Sequence, residues 1–286
     1  MEPFPLELRD RIARARRLGD ESRPYPPPGF KSVGDLLQNR SSSSPDSEWL
    51  VFYDDGHREP ARFSYGEFFK LVCRTANLLL DTGIGRGHRI ATVAYNHVDT
   101  VIQYFAAWLI GAVVVPINVG EDDKRIGFIL KNSECRCAFV REEYFSRIRG
   151  ILASEGRRVS IIRTGGGVRS SGTPDFHDEI RRRSDTLQET VPVSPEDEAL
   201  IVYTSGTTGQ PKGVILTHSN LVTDAEAIAA WHRMSQGETM MCVLPVHHVN
   251  GIIVTLMTPL SYGGRIVLNR KFHTAEFFRT GRDCPA

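Results

Sequence analysis

The stretch "YTSGTTGQPKG", Tyr203 to Gly213, concentrates more chemically useful groups than any other part of this 286-residue chain. Thr204, Ser205, Thr207 and Thr208 offer hydroxyls, and Lys212 adds a mobile point charge. Gly206 and Gly209 let backbone N–H groups approach a ligand closely and take positive φ. Successive N–H groups in such a turn form a concavity for anions, so the set suits a chain of phosphates. Three glycine motifs fail against it. A Walker A loop closes on glycine, lysine and a hydroxyl, whereas Lys212 follows Pro211 and precedes Gly213. The dinucleotide pattern GxGxxG fits neither here nor at "GIGRGH", which ends on His88. A hydrolase elbow around Ser205 needs glycine where Tyr203 stands. A plain polar hairpin between two strands is the competing reading; the lysine, and the burial expected from strands on both sides, weigh against it.

A second cluster is "LPVHHVNG", with His247 and His248 adjacent. Neighbouring residues on a turn or helix point in different directions, so the two are not expected to share a metal. Cys135 and Cys137 lie two apart in an expected strand and are expected to face one side of it. With Cys73, Cys242 and Cys284 they read as small apolar residues, because an odd count without framework spacing does not describe a disulfide scaffold. Arg181–Arg183 reads as a solvated helix end.

These residues need a scaffold, and the chain alternates in the way that supplies one. "WLVFYDD" and "ARFSY" read as strands around a turn at Asp55-Gly56. "YGEFFKLVCRTANLLLDTG" has helical spacing and ends before Gly83. "HRIATVAY" is a strand, and "NHVDTVIQYFAAWLIG" a mostly apolar helix with Asn96 as its expected N-cap. "AVVVPIN", the helix "DDKRIGFILKNSE" and "CRCAFV" follow. Further on, "EALIVYT" and "GVILTH" flank the glycine loop. "SNLVTDAEAIAAWHRM" is a helix capped by Ser219, and "ETMMCVLP" and "RIVLN" are strands around the apolar helix "GIIVTLMTPLSYGG". "HTAEFFRTG" begins another helix. Strand–helix alternation of this kind predicts a layered α/β fold with largely parallel sheets. Before Trp49, "RPYPPPGF" reads as an extended connector, "KSVGDLLQ" as at most a short helix and "NRSSSSPDSE" as a polar loop.

Composition narrows the classes. Hydrophobic content is 41 % and charged content 24 %, ordinary for a soluble globular chain. A net charge of +1 gives no push toward nucleic acid. No segment approaches the ~20 apolar residues of a transmembrane helix. The start, "MEPFPLELRDRIARARRLG", lacks the apolar stretch of a secretion signal and reads as a basic surface helix, so a cytoplasmic location is expected.

The loop closely resembles the phosphate-loop signature of the adenylate-forming (AMP-binding) enzymes, which include acyl-CoA synthetases, firefly luciferase and the adenylation domains of peptide synthetases. Other pieces fall in that family's order. "FSYGEF" resembles its "TYxEL" element, "YFAAWLIGAVVVPINV" its "LAxxxAGAxxVPLNP" element, and "LPVHHVNG" its "LPLFHxxG" element. The resemblance spans roughly Trp49 to Phe278. It implies an N-terminal extension and linker over 1–48 and, over 49–286, part of the large N-terminal domain of an adenylate-forming enzyme. It also implies an ATP-dependent carboxylate–CoA ligase: a carboxylic acid is joined to AMP, and a thiol, usually that of coenzyme A, then displaces the AMP. Implied roles are the ATP phosphates for Thr204, Ser205, Gly206, Thr207, Thr208, Gly209 and Lys212, magnesium for Thr204, and a place beside the carboxylate and adenylate for His248. His247 stands where the family usually has an aromatic residue. The histidine form of this element suits acyl- or aryl-CoA ligases; an adenylation domain loading an amino or fatty acid onto a carrier-protein thiol is the alternative. The family's "YGxTE" and "TGD" elements are not found after the loop. The chain is therefore expected to be about half of the enzyme — a fragment, a truncated product or a frame-shifted end — with little ligase activity, or only weak nucleotide or partner binding.

Overall fold

The computed structural model describes residues 29–54, 59–165, 173–204, 210–272, 274 and 277–278. The basic N-terminal stretch, the Asp55-Gly56 turn, much of the glycine-rich segment after Thr164 and Cys284 lie outside them. So do Ser205 to Gly209.

The two first apolar runs pair as expected. β1 (Glu48–Tyr53) and β2 (Ala61–Ser64) are antiparallel, with Val51 opposite Arg62. Ser64 then starts α2 (Tyr65–Asp81), following the helix α1 (Val33–Ser43), and does so with a complete capping box. The Glu67 N–H donates to Ser64 Oγ, and the Ser64 N–H donates to the Glu67 carboxylate. Strands and helices then alternate: β3 (Arg89–Val93), α3 (Val98–Leu109), β4 (Val113–Ile117), α4 (Asp123–Asn132), β5 (Cys137–Arg141), α5 (Glu142–Ser154), β6 (Ser160–Thr164) and α6 (Phe176–Arg181). β7 (Glu198–Thr204) and β8 (Lys212–Thr217) follow, then α7 (His218–His232) and β9 (Thr239–Cys242). A helical run of α8 (Val249–Ile252), a π-helical turn (Ile253–Met257) and α9 (Thr258–Tyr262) leads to β10 (Arg265–Asn269).

Two sheets result, a six-stranded one ordered β6-β5-β3-β4-β7-β8 and a four-stranded one ordered β2-β1-β10-β9. Each is parallel except for one antiparallel edge pair. Between β4 and β7 the pairing is confined to Val114 and Leu200. Pro116, two residues on, has no N–H to give a ladder.

The apolar residues divide by face. Ile90, Val114, Phe139 and Leu200 join Trp49, Leu50 and Leu268 of the other sheet in one large core with α1, α2, α3 and α7. Ala91, Val115, Val140 and Ile201 point the other way, onto α4 and α5. Every residue of α3 is buried, as a helix enclosed by protein on all sides requires.

Several expectations are corrected. The "NRSSSS" stretch is helical: α1 continues to Ser43 because Val33, Leu36 and Leu37 are fully buried, which outweighs the poor helix propensity of serine. The N-cap of α3 is His97, whose Nδ1 accepts the Asp99 N–H, not Asn96. The N-cap of α7 is Thr217, in a capping box with Asn220, not Ser219. Cys135 and Cys137 fall in opposite apolar layers, because β5 starts only at Cys137 and Glu134 takes φ 54° just before it. Finally, β8 is not the buried strand expected beside the loop but an edge strand exposed along most of its length. Arg181 and Arg182 do sit at a solvated helix end, paired with Asp178 and Glu179 of their own helix.

Candidate functional site

The first arm of the site is the β7–β8 hairpin. Ala199, Leu200, Ile201 and Val202 are buried, and the strand emerges at Thr204, which is exposed. Thr204 and Lys212 are register partners across the pair, so they flank the Ser205–Gly209 segment at its base. Lys212 is exposed, and no carboxylate pairs with it among the described residues. Its charge is therefore available to a ligand. Tyr203 braces the hairpin from the side: its hydroxyl donates to Asn132 Oδ1 at 2.6 Å and its ring meets Phe128 edge-on. Gly213 makes room for that ring, since a Cβ there would stand 3.0 Å from Ile201 Cγ2 and 3.1 Å from the Tyr203 ring.

The second arm follows β9. The His248 N–H donates to the Pro245 carbonyl at 3.1 Å, turning the chain into α8, for which His248 is the N-cap residue. Gly251 is required here: a Cβ would lie 2.2 Å from the Pro245 oxygen, so any side chain would expel the backbone that carries both histidines. The imidazoles lie against each other, with centroids 4.3 Å apart, which corrects the expectation that they diverge. Burial, and then the neighbouring His248, push His247 from 6.5 down to about 4. His248 is exposed.

Two side chains hold this second arm, and sequence reasoning misses both. Asn96 is buried, 4 % exposed, just beyond β3. Its Nδ2 donates to the carbonyls of Leu244 (2.9 Å) and Asn269 (3.1 Å), and its Oδ1 accepts the Val246 N–H (2.8 Å). The Tyr104 hydroxyl donates to the Val246 carbonyl at 3.0 Å. The one sequence signal at Asn96 is its place beside a helix start, and that signal points to capping, which is the wrong role.

Both arms leave the carboxyl ends of strands in largely parallel sheets, the edge where open α/β sheets receive ligands. Among the described residues, no hydrogen bond or ion pair joins His248 to Thr204 or Lys212. A cavity of about 840 Å³ between β2, α2 and α6 includes neither arm. Three arginines on its wall are committed to carboxylates, Arg62 to Glu48, Arg74 to Asp185 and Arg181 to Asp178. No group of His, Cys, Asp or Glu among the described residues could hold a metal ion. Thr204 would offer one hydroxyl to a magnesium ion, whose remaining places are filled by phosphates, carboxylates and water.

A family model described as "AMP-binding enzyme" matches residues 37–281. The chain belongs to that family. A sulfoacetate–CoA ligase of Cupriavidus necator is 28 % identical over 88 % of this chain and 48 % of its own length. Among solved structures, a long-chain-fatty-acid–CoA ligase from Archaeoglobus fulgidus has a TM-score of 0.80 at 24 % identity, over 91 % of this chain and 51 % of its own. The ATP-bound form of MatB from Rhodopseudomonas palustris has a TM-score of 0.74 at 22 % identity, over 88 % and 48 %. The chain thus spans about half the length of these relatives. The AMP-binding match begins at residue 37, inside α1, whose Leu36 and Leu37 are part of the main core. No helix among the described residues is long and apolar enough to cross a membrane.

Proposed function

We propose that this chain is the nucleotide- and acid-binding part of an ATP-dependent carboxylate–CoA ligase that works through an acyl-adenylate. The observation that carries the reading is the pairing of Thr204 with Lys212 at the base of the Ser205–Gly209 segment. One hydroxyl, and one cation with no carboxylate partner among the described residues, stand on either side of a segment rich in small residues that follows a buried strand. In the first step a carboxylate oxygen bonds to the α-phosphorus of ATP, the α–β phosphoanhydride breaks, and pyrophosphate leaves with the electron pair. Negative charge grows on that leaving group. The N–H groups and hydroxyls that the segment carries, with the Lys212 ammonium, would stabilise that charge electrostatically. Magnesium enters with ATP as part of the substrate, and no residue described here is assigned to hold it alone. In the second step a thiol attacks the acyl carbonyl carbon and AMP departs. His248 is proposed to border the acid and the adenylate.

Coenzyme A is favoured as the thiol, over a carrier protein, by the CoA ligases among the relatives. ATP is supported by the family and by the ATP-bound neighbour. Four buried free cysteines, Cys73, Cys135, Cys137 and Cys242, fit a reducing compartment such as the cytoplasm. Titration calorimetry with Mg·ATP tests the reading. A charge-assisted contact contributes about 1.5–3 kcal/mol, so Lys212→Ala is expected to weaken binding roughly tenfold or more. Equal affinity in the variant would overturn the assignment of the loop.

A further inference from the structure

The second arm has no secondary structure of its own between Cys242 and Val249 apart from a turn, so something else must fix where His247 and His248 stand. Backbone packing at Gly251 fixes one end, where Pro245 abuts the helix. The other constraint comes from across the molecule. Asn96 and Tyr104 belong to the connection and helix that follow β3, in the six-stranded sheet, whereas Leu244 to Val246 follow β9 and Asn269 ends β10, in the four-stranded sheet. The amide of Asn96 uses two donor bonds and one acceptor bond on three different backbone groups of that other sheet. Both sides of Val246 are held, its N–H by Asn96 and its carbonyl by Tyr104. Tyr104 is itself fixed by full burial and by the Thr92 hydroxyl, which donates to it at 3.4 Å.

We propose that Asn96 is the positioning residue of the acid-binding arm, setting the His247–His248 turn against the carboxyl edge of the six-stranded sheet, with Tyr104 as its second support. This rests on the ligase reading for the purpose of the arm, but not for the clamp itself. An asparagine suits the task where similar residues do not. Asn96→Asp keeps an acceptor for the Val246 N–H yet sets a carboxylate against two carbonyl oxygens. Asn96→Ala leaves all three backbone groups without a partner.

The test uses proton NMR of the imidazole C–H signals in the full chain, titrated with pH. The groups around the reporter are few: His248 is the titratable neighbour whose charge bears on His247. His218, buried far along the chain against α1 and also held near pH 4, is the internal control for global folding. In Asn96→Ala the His247 midpoint is expected to rise by about one pH unit or more, with that of His218 unchanged. Tyr104→Phe should give a smaller rise in the same sense, and serves if Asn96→Ala does not fold. An unmoved His247 in the variants, or His218 moving with it, would overturn the proposal. Binding of inorganic pyrophosphate separates this result from the functional reading. The variants should keep its affinity within about twofold, since it is assigned to the hairpin. A wild-type chain that ignores pyrophosphate contradicts the ligase reading while leaving the clamp to stand or fall on the titration.

Discussion

At the residue scale the molecule relies on groups whose surroundings leave them one role. His218 is an instance outside the site. It is fully buried, and its Nδ1 accepts the Val33 N–H at 3.3 Å, joining α7 to the start of α1. That bond requires the neutral ring, because a protonated Nδ1 has no lone pair to offer. Burial lowers its pKa from 6.5 to about 4, with the Asp197 carboxylate opposing the shift. Above pH 6.5 the ring is neutral folded or unfolded, and its contribution is fully present. As pH falls from 6.5 toward 4, the unfolded chain takes up a proton that the folded chain refuses, so stability is lost over that window. The loss attributable to His218 is of order 2 kcal/mol by about pH 5. Denaturant unfolding at about pH 7 and pH 5 should show a smaller difference for His218→Gln than for the wild type; equal differences would mean that His218 is not held neutral. Nothing in the sequence marks His218, whose environment comes from residues far away along the chain. Gly251 differs: its place in "LPVHHVNG" already sets it apart, and the structure supplies the reason, a backbone approach that leaves no space for a Cβ.

At the element scale, local pattern is a good guide wherever burial is one-sided or complete. α2 ends at Asp81, two residues before Gly83, as its spacing indicates, and the apolar runs become strands. Pattern fails where tertiary packing decides. α1 runs through a serine stretch because its opposite end is in the core, and Ser41 and Ser42 return their hydroxyls to the Gln38 carbonyl within the helix. The π-helical turn at Ile253–Met257 is invisible too, since an apolar run has no face from which to read a change of period. β8 looks buried because "GVIL" is apolar, yet an edge strand covered on one flank leaves Val214 47 % and Ile215 49 % exposed. Such an edge is a template for unwanted pairing. Ile215→Lys is expected to reduce aggregation on heating and to change unfolding free energy by about 1 kcal/mol or less. A loss above ~2 kcal/mol, the scale of a core defect, would contradict the edge placement.

At the scale of the whole molecule, the arrangement that matters is the meeting of two sheets at their carboxyl ends. Alternation predicts an α/β fold with largely parallel sheets. It cannot reveal that β1 pairs with β10, Leu50 beside Ile266, because no local pattern encodes a partner so far along the chain. The same pairing brings Asn269 within reach of Asn96. A second tie lies alongside: the Tyr95 ring sits between Arg141 of one sheet, 4.5 Å from its centroid, and Arg270 after the other, at 4.1 Å. The candidate site is legible in the same uneven way. Thr204, Lys212 and His248 can be named from motifs, but the residues that fix the second arm cannot, since their partners are backbone atoms.

The central claim is that nucleotide phosphates bind at the mouth of the β7–β8 hairpin. Backbone amide NMR of the labelled chain, titrated with Mg·ATP, locates binding directly. The expected result is a set of saturable shifts centred on Thr204, Lys212 and Gly213, absent in Lys212→Ala. Shifts confined to other surfaces, such as the cavity between α2 and α6, or none at millimolar ATP, would contradict the account.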